Sequence, residues 1–316
     1  MEIMKDNFCK KLKVSTFVAL GSFDGIHLGH KKLIEKAIDM TRKYNENHDD
    51  KSKSMVCTFY NHPLTIINKD IAPKLVIDNS CKIKILEELG VDIINFMTFN
   101  ESFMKISPQE FIEKLVNAYN VKGIIVGFNF RFGYKNLGDI SLLEKYSKLL
   151  GFELFIVKPV KLCDEIISST KIRNYIKEGK MEKANEMLGR PFKIEGEVIK
   201  GRQIGRTMGF PTINLSYDSK FVIPKRGVYY TLVKYNNEIY KAMTNIGYNP
   251  TVNGENLNIE TNILDFNENL YGKKIEIFFI HKIRDEKNFG SIENLMKQLN
   301  KDRNFVKNQN IKLNIK

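Results

Sequence analysis

The spacing of apolar residues changes once along the chain, near residue 190, and this change limits the possible folds more than any other feature. Up to that point, short apolar runs alternate with segments in which apolar residues recur at helical spacing. The run Val14–Leu20, for example, precedes a segment with Leu33, Ile34, Ala37 and Ile38. Strands that alternate with helices predict βαβ units and a parallel sheet. We therefore expect an α/β fold for the first part of the chain.

The segments after residue 190 are strand-like and are separated by turns rich in glycine, proline and asparagine. Helical spacing does not return until about residues 288–299. Several consecutive strands without intervening helices predict an antiparallel β-barrel, here followed by a terminal helix. The sequence thus predicts two domains, residues 1–186 and residues 187–316.

The composition fits two globular domains. A chain of 316 residues is long enough for two cores, and its hydrophobic fraction of 42% is that of a folded protein rather than a disordered one. No apolar run approaches the roughly 20 residues of a membrane span, and the charged N-terminus differs from a signal peptide. The cysteines lie far apart without a Cys-x-x-Cys pair, which is typical of reduced cysteines. We expect a cytoplasmic protein without a membrane partner.

The formal net charge of +13 raises the question of a nucleic-acid partner. The lysines are scattered over the whole chain, however, without an arginine-rich run or a basic stripe. A solvated lysine surface, with a few cations that serve a phosphate ligand, is the favoured interpretation. We therefore expect no nucleic-acid partner. No feature of the sequence indicates the oligomeric state.

The segment Gly21–His30, GSFDGIHLGH, comes directly after the first predicted strand. Its glycines allow a sharp turn, and Gly29 and His30 open a helix whose free N–H groups attract an anion. The imidazoles of His27 and His30 are able to donate hydrogen bonds to phosphate oxygens. Two alternatives are less favoured: a zinc site with His62 as a third ligand, and a plain turn with incidental histidines.

Two further loops are predicted at the same edge of the sheet. Tyr60–Pro63 and Phe128–Asp139 each follow a predicted strand, as Gly21–His30 does. Parallel α/β sheets bind ligands at the carboxyl ends of their strands. We expect the three loops to form one site.

The motif Gly-x-Phe-Asp-Gly-x-His-x-Gly-His resembles the phosphate-binding signature of the nucleotidylyltransferase superfamily. In this long form it resembles that of the bacterial bifunctional riboflavin kinase/FMN adenylyltransferases, the FAD synthetases. Further motifs of that family are similar to GFNFRFG at Gly127–Gly133, LGD at Leu137–Asp139 and ISSTKIR at Ile167–Arg173. The resemblance implies a Rossmann-like N-terminal domain that transfers the adenylyl group of ATP to FMN.

By this resemblance, His27 and His30 bind the α- and β-phosphates of ATP and stabilise charge during the transfer. The other residues implied to bind ATP in this domain are Gly21, Ser22, Phe23, Asp24, Gly29, Asn129, Ser169, Thr170 and Arg173. Hydroxyl groups at a helix N-terminus and an arginine fork also suit phosphate on physical grounds. For ISSTKIR in isolation, a serine-capped helix would be the default interpretation.

GRQIGRTMGFPTINL at Gly201–Leu215 resembles the loop of riboflavin kinases that ends in Pro-Thr-x-Asn. The likeness implies that Thr212 and Asn214 hold Mg²⁺ and the phosphates of ATP. A hydroxyl and an amide oxygen are suitable ligands for this ion. The glycines implied to wrap the nucleotide are Gly201, Gly205 and Gly209. The loop lacks the Gly-Lys-Ser/Thr ending of a Walker A motif.

The segment NIETNILDFNENLYGK matches the family's stretch around its catalytic glutamate, which falls on Glu260. Side chains alternate along a strand, so Asn258, Glu260 and Asn262 are expected on one face. By the resemblance, Glu260 accepts the proton of the riboflavin 5′-hydroxyl as a general base. Without the resemblance, a surface glutamate on a barrel strand would be the default.

The resemblance covers nearly the whole chain, with two departures. Tyr60-Asn61-His62-Pro63 lacks a proline and an acidic residue that the family often has, and Asn129 stands where many relatives have aspartate. The implied function is synthesis of FMN from riboflavin and of FAD from FMN, with ATP as co-substrate and Mg²⁺ as cofactor. Two alternatives stay open. Only the kinase domain is active, or the chain is a flavin- or nucleic-acid-binding module without catalysis.

Overall fold

The structure is a computed structural model that describes residues 1–201, 205, 209–251 and 254–310. Of the glycine-rich segment GRQIGRTMG, it describes Gly201, Gly205 and Gly209, and the residues between them lie outside the described part. The chain separates into two compact units, Met1–Ser169 and Thr170–Lys316. In the described ranges, no helix is both long enough and apolar enough to cross a membrane.

The first unit contains a six-stranded sheet in which neighbouring strands are parallel. The strands are β1 (Glu2–Met4), β2 (Ser15–Leu20), β3 (Ser52–Phe59), β4 (Ile93–Met97), β5 (Val121–Gly127) and β6 (Glu153–Val157). Their spatial order is β1-β4-β3-β2-β5-β6, so β2 lies between β3 and β5. The predicted parallel sheet is confirmed.

Helices connect the strands and cover both faces of the sheet. They are α1 (Leu28–Asn47), α2 (Leu64–Ile67), α3 (Asn79–Glu88), α4 (Glu101–Met104), α5 (Pro108–Tyr119) and α6 (Ile140–Leu150), and a small hairpin of β7 (Lys161–Leu162) and β8 (Glu165–Ile166) follows. Strand β2 shows why both faces are apolar. Val18 and Leu20 belong to one hydrophobic core, whereas Phe17 and Ala19 belong to the other. Successive side chains of a strand point to opposite faces, so a strand covered on both sides needs an unbroken apolar run.

Polar side chains fix the starts of two of these helices. Ser107 accepts the backbone N–H of Glu110 at 3.2 Å before α5, and Asp139 accepts that of Leu142 at 3.0 Å before α6. Such a cap satisfies a backbone donor that the helix itself leaves unpaired. Gly151 ends α6 with a left-handed φ of 75°. The sequence predicts both helices at these positions.

The second unit combines two helices with a closed antiparallel barrel of six strands and a terminal helix. The elements are α7 (Ser169–Glu178), α8 (Met181–Leu188), β9 (Phe192–Ile199), β10 (Ile213–Ser216), β11 (Gly227–Tyr235), β12 (Glu238–Thr251), β13 (Gly254–Ile263), β14 (Lys274–Arg284) and α9 (Ile292–Lys307). The strands follow the order β10-β13-β12-β11-β14-β9 around the barrel. The predicted barrel with its terminal helix is confirmed.

One face of the barrel strands carries a fully buried row of threonine hydroxyls. Thr244 lies 2.8 Å from the hydroxyl of Thr231 and 2.9 Å from that of Thr261. Met243, next to Thr244 in the sequence, points to the opposite face and belongs to an apolar cluster with Val306 of α9. The residues on either side of Thr261 therefore also lie on that opposite face.

Helices α7 and α8 are tied to the barrel. The side-chain amide of Asn185 in α8 donates to the carbonyl oxygen of Phe279 at 2.8 Å, and its oxygen accepts the N–H of Phe192 at 2.7 Å. The backbone N–H of Lys225 donates to the carbonyl oxygen of Ile176 in α7 at 3.2 Å. The compact units accordingly divide ahead of these helices, whereas the sequence predicts a boundary between residues 186 and 187. The functional boundary stays a prediction.

Candidate active sites

The loops that follow β2, β3 and β5 leave the sheet at one edge. These strands are adjacent and parallel, so their carboxyl ends lie side by side. The loops are Gly21–His30, Tyr60–Pro63 and Phe128–Asp139, as the sequence predicts. In an open α/β sheet this edge is where ligands bind.

His27 and His30 lie at the start of α1 with their rings stacked, the ring centroids 3.6 Å apart and the planes at 14°. The Nδ1 atom of His27 accepts the backbone N–H of His30 at 3.2 Å, so His27 caps the helix. Because Nδ1 is the acceptor, the neutral imidazole carries its proton on Nε2. The arrangement provides a side-chain donor beside a helix N-terminus, which is a favourable place for an anion.

The zinc alternative requires a third ligand close to these histidines. Within the described ranges, no group of three or more His, Cys, Asp or Glu side chains is arranged to hold a metal ion. His62 instead accepts the backbone N–H of Leu64 at 3.2 Å through its Nδ1 atom, beside the start of α2. The described residues therefore do not form the three-ligand zinc site.

The turn before α1 has left-handed backbone angles at Phe23, Gly25 and Ile26, with φ values of 47°, 87° and 35°. Such angles are rare for an aromatic or a β-branched residue and cost about 1–3 kcal/mol each. The side chains of Phe23 and Ile26 are both 0% exposed, so their burial in the core holds the turn in place. The ring of Phe23 meets that of His30 edge to face at 5.2 Å. Phe23 thus supports the histidine pair from within the core.

Glycine at position 29 has a packing reason. A β-carbon built on Gly29 would lie 3.2 Å from Cε1 and Nδ1 of the His27 ring. Since that distance is tighter than an ordinary contact, a larger residue would require the His27 ring to shift by a few tenths of an ångström. The His-x-Gly-His spacing therefore allows His27 to fold back over its own helix.

Asp24 and Ser169 join the turn to other parts of the first unit. The carboxylate of Asp24 is 5% exposed and accepts the backbone N–H groups of Val76 at 2.9 Å and Ile77 at 3.4 Å. The hydroxyl of Ser169, the first residue of α7, donates to the carbonyl oxygen of Asp24 at 2.8 Å. Two predicted site residues are thus brought into direct contact.

The remaining predicted residues of ISSTKIR share helix α7. Thr170 is its second residue, and the guanidinium of Arg173 lies 3.5 Å from the Thr170 hydroxyl. Asn129, in the loop after β5, is exposed. These positions leave the predicted ATP contacts of Thr170, Arg173 and Asn129 as predictions.

The unusual Tyr60-Asn61 pair has local structural partners. Asn61 exchanges hydrogen bonds with the backbone of Phe99, its amide donating at 2.9 Å and its oxygen accepting at 3.0 Å. Tyr60 is 50% exposed, and the Lys5 ammonium lies 3.9 Å from the centre of its ring. Asn61 therefore links the loop to the backbone of Phe99, whereas Tyr60 contacts Lys5 and is half exposed.

One residue at this edge is absent from the sequence predictions. Lys82 of α3 is 5% exposed, and its ammonium donates to the carbonyl oxygen of Ser22 at 3.1 Å and to the Thr58 hydroxyl at 3.2 Å. Burial lowers the pKa of Lys82 from its usual 10.5 to about 8, an effect that the negative charge of Asp24 partly offsets. A cation thus lies beneath the turn that carries the histidine pair.

A second polar cluster lies on the barrel. Asn214 of β10 and Glu260 of β13 are directly opposite each other in the ladder. The amide nitrogen of Asn258 donates to Asn214 Oδ1 and to Glu260 Oε1, both at 2.7 Å. Asn258 and Glu260 thus share a face of β13, as the sequence predicts, and one amide orients both neighbours.

Asn262 completes the predicted row on β13. Its amide nitrogen donates at 2.7 Å to the carbonyl oxygen of Pro211, the residue before Thr212. The side chain is 5% exposed, and its Oδ1 atom has no hydrogen-bond partner among the described residues. A buried amide oxygen without a partner is a hard oxygen donor of the kind that Mg²⁺ prefers.

Two described glycines of the preceding loop, Gly201 and Gly205, lie close to residues of this cluster. A β-carbon on Gly201 would overlap the side-chain amide of Asn214, and one on Gly205 would lie 3.3 Å from the Thr212 hydroxyl. Gly209 has a left-handed φ of 76°. Close packing of Gly201 against Asn214 explains why no side chain is accommodated there.

Models of two protein families match the chain in succession. The FAD synthetase model matches residues 9–171, and the riboflavin kinase model matches residues 188–310. The first match contains the histidine pair of the α/β unit, and the second contains the Asn214–Asn258–Glu260 cluster of the barrel.

Whole-chain relatives carry both parts. The bifunctional riboflavin kinase/FMN adenylyltransferase of Bacillus subtilis is 35% identical over 93% of this chain and 92% of its own length. That of Escherichia coli is 34% identical over 90% of each chain. This chain belongs to the bifunctional riboflavin kinase/FMN adenylyltransferase family. The resemblance stated from the motifs is therefore confirmed.

A solved structure supports the fold of this family member. It is a Streptococcus pneumoniae protein titled a macrolide-efflux protein, with a TM-score of 0.87 and 31% sequence identity. The alignment covers 98% of this chain and 99% of that one. The fold is thus shared over nearly the whole length of both chains.

Proposed function

We propose that the chain phosphorylates riboflavin to FMN with ATP and then adenylylates FMN to FAD, with release of pyrophosphate. The observation that carries the proposal is the presence of two separate polar sites on one chain, each inside the region that its own family model matches. The stacked His27–His30 pair lies in the first, and the Glu260 cluster lies in the second.

In the kinase reaction, Glu260 accepts the proton of the riboflavin 5′-hydroxyl. The hydroxyl oxygen then forms a bond to the γ-phosphorus of ATP, and ADP leaves. Asn258 donates a hydrogen bond to Glu260, which holds the carboxylate in one orientation for the incoming hydroxyl. Thr212 and Asn214 would hold Mg²⁺, which neutralises charge on the transferring phosphate.

In the adenylyl transfer, a phosphate oxygen of FMN attacks the α-phosphorus of ATP and pyrophosphate leaves. No general base is needed because the phosphate is already ionised at neutral pH. His27 and His30 donate hydrogen bonds to the phosphates, where negative charge develops. Arg173, Ser169 and Thr170 are the proposed further phosphate contacts. The other residues of the proposed nucleotide site are Gly21, Ser22, Phe23, Asp24, Gly29 and Asn129.

The proposed partners are the small molecules riboflavin, FMN and ATP. Free cysteines at Cys9, Cys57, Cys81 and Cys163 suit a reducing compartment, which supports the proposed cytoplasmic location. Residues 1–186 are the proposed adenylyltransferase domain and residues 187–316 the proposed kinase domain.

A time course with purified protein, riboflavin, ATP and Mg²⁺ tests the proposal, with FMN and FAD separated by chromatography. We expect FMN to appear first and FAD to follow. Formation of FMN without FAD, even from supplied FMN, would support the alternative of a degenerate first domain. Salt-sensitive binding to RNA or DNA without ATP consumption would support the binding-module alternative.

A further inference from the structure

The burial of Lys82 needs an explanation. Lysine is almost never fully buried unless its ammonium group has partners, because removing the charge from water is costly. Lys82 is nevertheless buried, with only 5% of the residue exposed. Its side chain extends from α3 to the Gly21–His30 turn, where the ammonium donates to the Ser22 carbonyl oxygen. The proposed reaction, as described above, assigns it no task.

The partners of Lys82 form a closed triangle. Its ammonium donates to the Ser22 carbonyl oxygen at 3.1 Å and to the Thr58 hydroxyl at 3.2 Å. The Thr58 hydroxyl donates in turn to the same carbonyl oxygen at 2.8 Å. The Ser22 carbonyl belongs to the peptide that precedes Phe23, the first left-handed residue of the turn. Two donors, from α3 and from β3, therefore fix the peptide plane at which the strained turn begins.

The charge of Lys82 acts on the same turn. The negative charge of Asp24 stabilises the Lys82 ammonium, and the ring centre of Phe96 lies 6.0 Å from it. The lowered pKa of about 8 means that the amine titrates close to physiological pH. A neutral amine makes weaker hydrogen bonds than an ammonium and no longer attracts phosphate through the turn.

We propose that Lys82 is a positioning residue for adenylyl transfer, which holds the Ser22 carbonyl so that the turn presents His27 and His30 to the phosphates of ATP. The inference rests on the proposed adenylyltransferase function. It assigns Lys82 no contact with the substrate, because its ammonium is occupied by Ser22 and Thr58.

The test compares wild type, Lys82→Met and Lys82→Arg in both reactions. Methionine keeps the length and removes the donor, and arginine keeps the charge at every pH used. For Lys82→Met we expect kcat of FMN adenylylation to fall about 10- to 100-fold, as for a small misplacement of binding groups, with riboflavin phosphorylation unchanged. The wild-type adenylylation rate should decline as pH rises through about 8, and this decline should be absent in Lys82→Met and displaced upward in Lys82→Arg.

The outcomes separate two failures. If wild type makes no FAD from FMN, the proposed function itself is wrong. If wild type makes FAD, and Lys82→Met has the same kcat and the same pH profile, the role of Lys82 is overturned. If Lys82→Met misfolds and also loses kinase activity, the variants Lys82→Arg and Thr58→Val test the role of Lys82 instead. Thr58→Val should lower adenylylation about tenfold by removing one donor to Ser22, and unchanged rates and pH profiles in both variants would overturn the proposal.

Discussion

Asn214 and Glu260 lie directly opposite each other on β10 and β13, and both accept a hydrogen bond from one amide group, that of Asn258. The proposed phosphate ligand and the proposed base are therefore held by the register of two strands rather than by a loop. Groups on regular elements keep their mutual distance better than groups on loops.

Glu260→Gln should lower FMN formation by about 10²- to 10⁴-fold, because the amide cannot accept the hydroxyl proton. Conversion of supplied FMN to FAD should stay at the wild-type rate. Rates of both reactions, measured by chromatography, check this. Glu268→Gln, at an exposed glutamate of the same unit, is the matched control and should leave both rates unchanged. Equal loss of both activities in Glu260→Gln would contradict the division into two sites.

Asn258→Ala should reduce kcat for riboflavin phosphorylation by about tenfold, because Glu260 and Asn214 lose their shared donor. The substitution leaves Glu260 in place, so some activity should remain. Steady-state kinetics check the prediction. A variant as inactive as Glu260→Gln would show that Asn258 does more than orient its neighbours.

His27 and His30 should respond differently to substitution. Either alanine variant should abolish FAD formation, but only His27→Ala removes the cap of α1, and the loss of this cap should lower the free energy of unfolding by about 1 kcal/mol. His27→Asn is the control, since asparagine caps well but lacks the imidazole. We expect it to restore stability without restoring activity. Urea unfolding and the FAD assay give the two readouts.

Two C-terminal fragments test the domain boundary. A fragment of residues 187–316 should phosphorylate riboflavin, and one of residues 170–316 should do so with a higher melting temperature. The longer fragment retains the hydrogen bonds of Asn185 to the barrel and of Ile176 to Lys225. A shorter fragment without activity, beside an active longer one, would move the functional boundary ahead of α7.

The buried amine of Lys82 should make stability depend on pH in the alkaline range. Its pKa is about 8 in the folded chain and about 10.5 when exposed, so between these values the unfolded state binds more protons. The free energy of unfolding of the wild type should therefore rise with pH relative to Lys82→Met, by about 2 kcal/mol between pH 7.5 and 10. Urea titrations of both proteins at pH 7.5 and 10 measure the difference. An equal pH dependence in the two proteins would show that Lys82 is not desolvated.

The fold could be predicted from the sequence because its pattern is local. Val14–Leu20 is apolar at every position and therefore predicts a strand covered on both faces. Ser107 and Asp139 indicate helix starts because each side chain accepts the backbone N–H of the residue three positions later. Strand β1, by contrast, is only Glu2–Met4, and its pairing with β4 depends on residues far along the chain. A segment of this length is too short to show a periodic pattern of apolar residues, so the sequence does not predict it as a strand.

The site was predictable only as far as its motifs reach. His27, His30, Asn214 and Glu260 stand in recognisable strings, whereas Lys82 stands in a helix where a lysine normally points to solvent. Lys82 is buried because α3 packs against β3 and the Gly21–His30 turn. This packing joins segments that are distant in the sequence, so no local pattern predicts it. The bridging role of Asn258 likewise depends on the strand register between β10 and β13.

Among the described residues, the ladder that joins β10 to β13 consists of the pairs Ile213–Thr261 and Asn214–Glu260, whereas β12 and β13 pair along almost their whole length. One of the two residue pairs that close the barrel between β10 and β13 is therefore Asn214–Glu260, which belongs to the proposed kinase centre. If β10 and β13 separated locally, the proposed base Glu260 would move away from the proposed phosphate ligand Asn214 while the other strand pairs of the barrel stayed intact. On heating, riboflavin phosphorylation should therefore be lost at a lower temperature than the one at which the barrel unfolds.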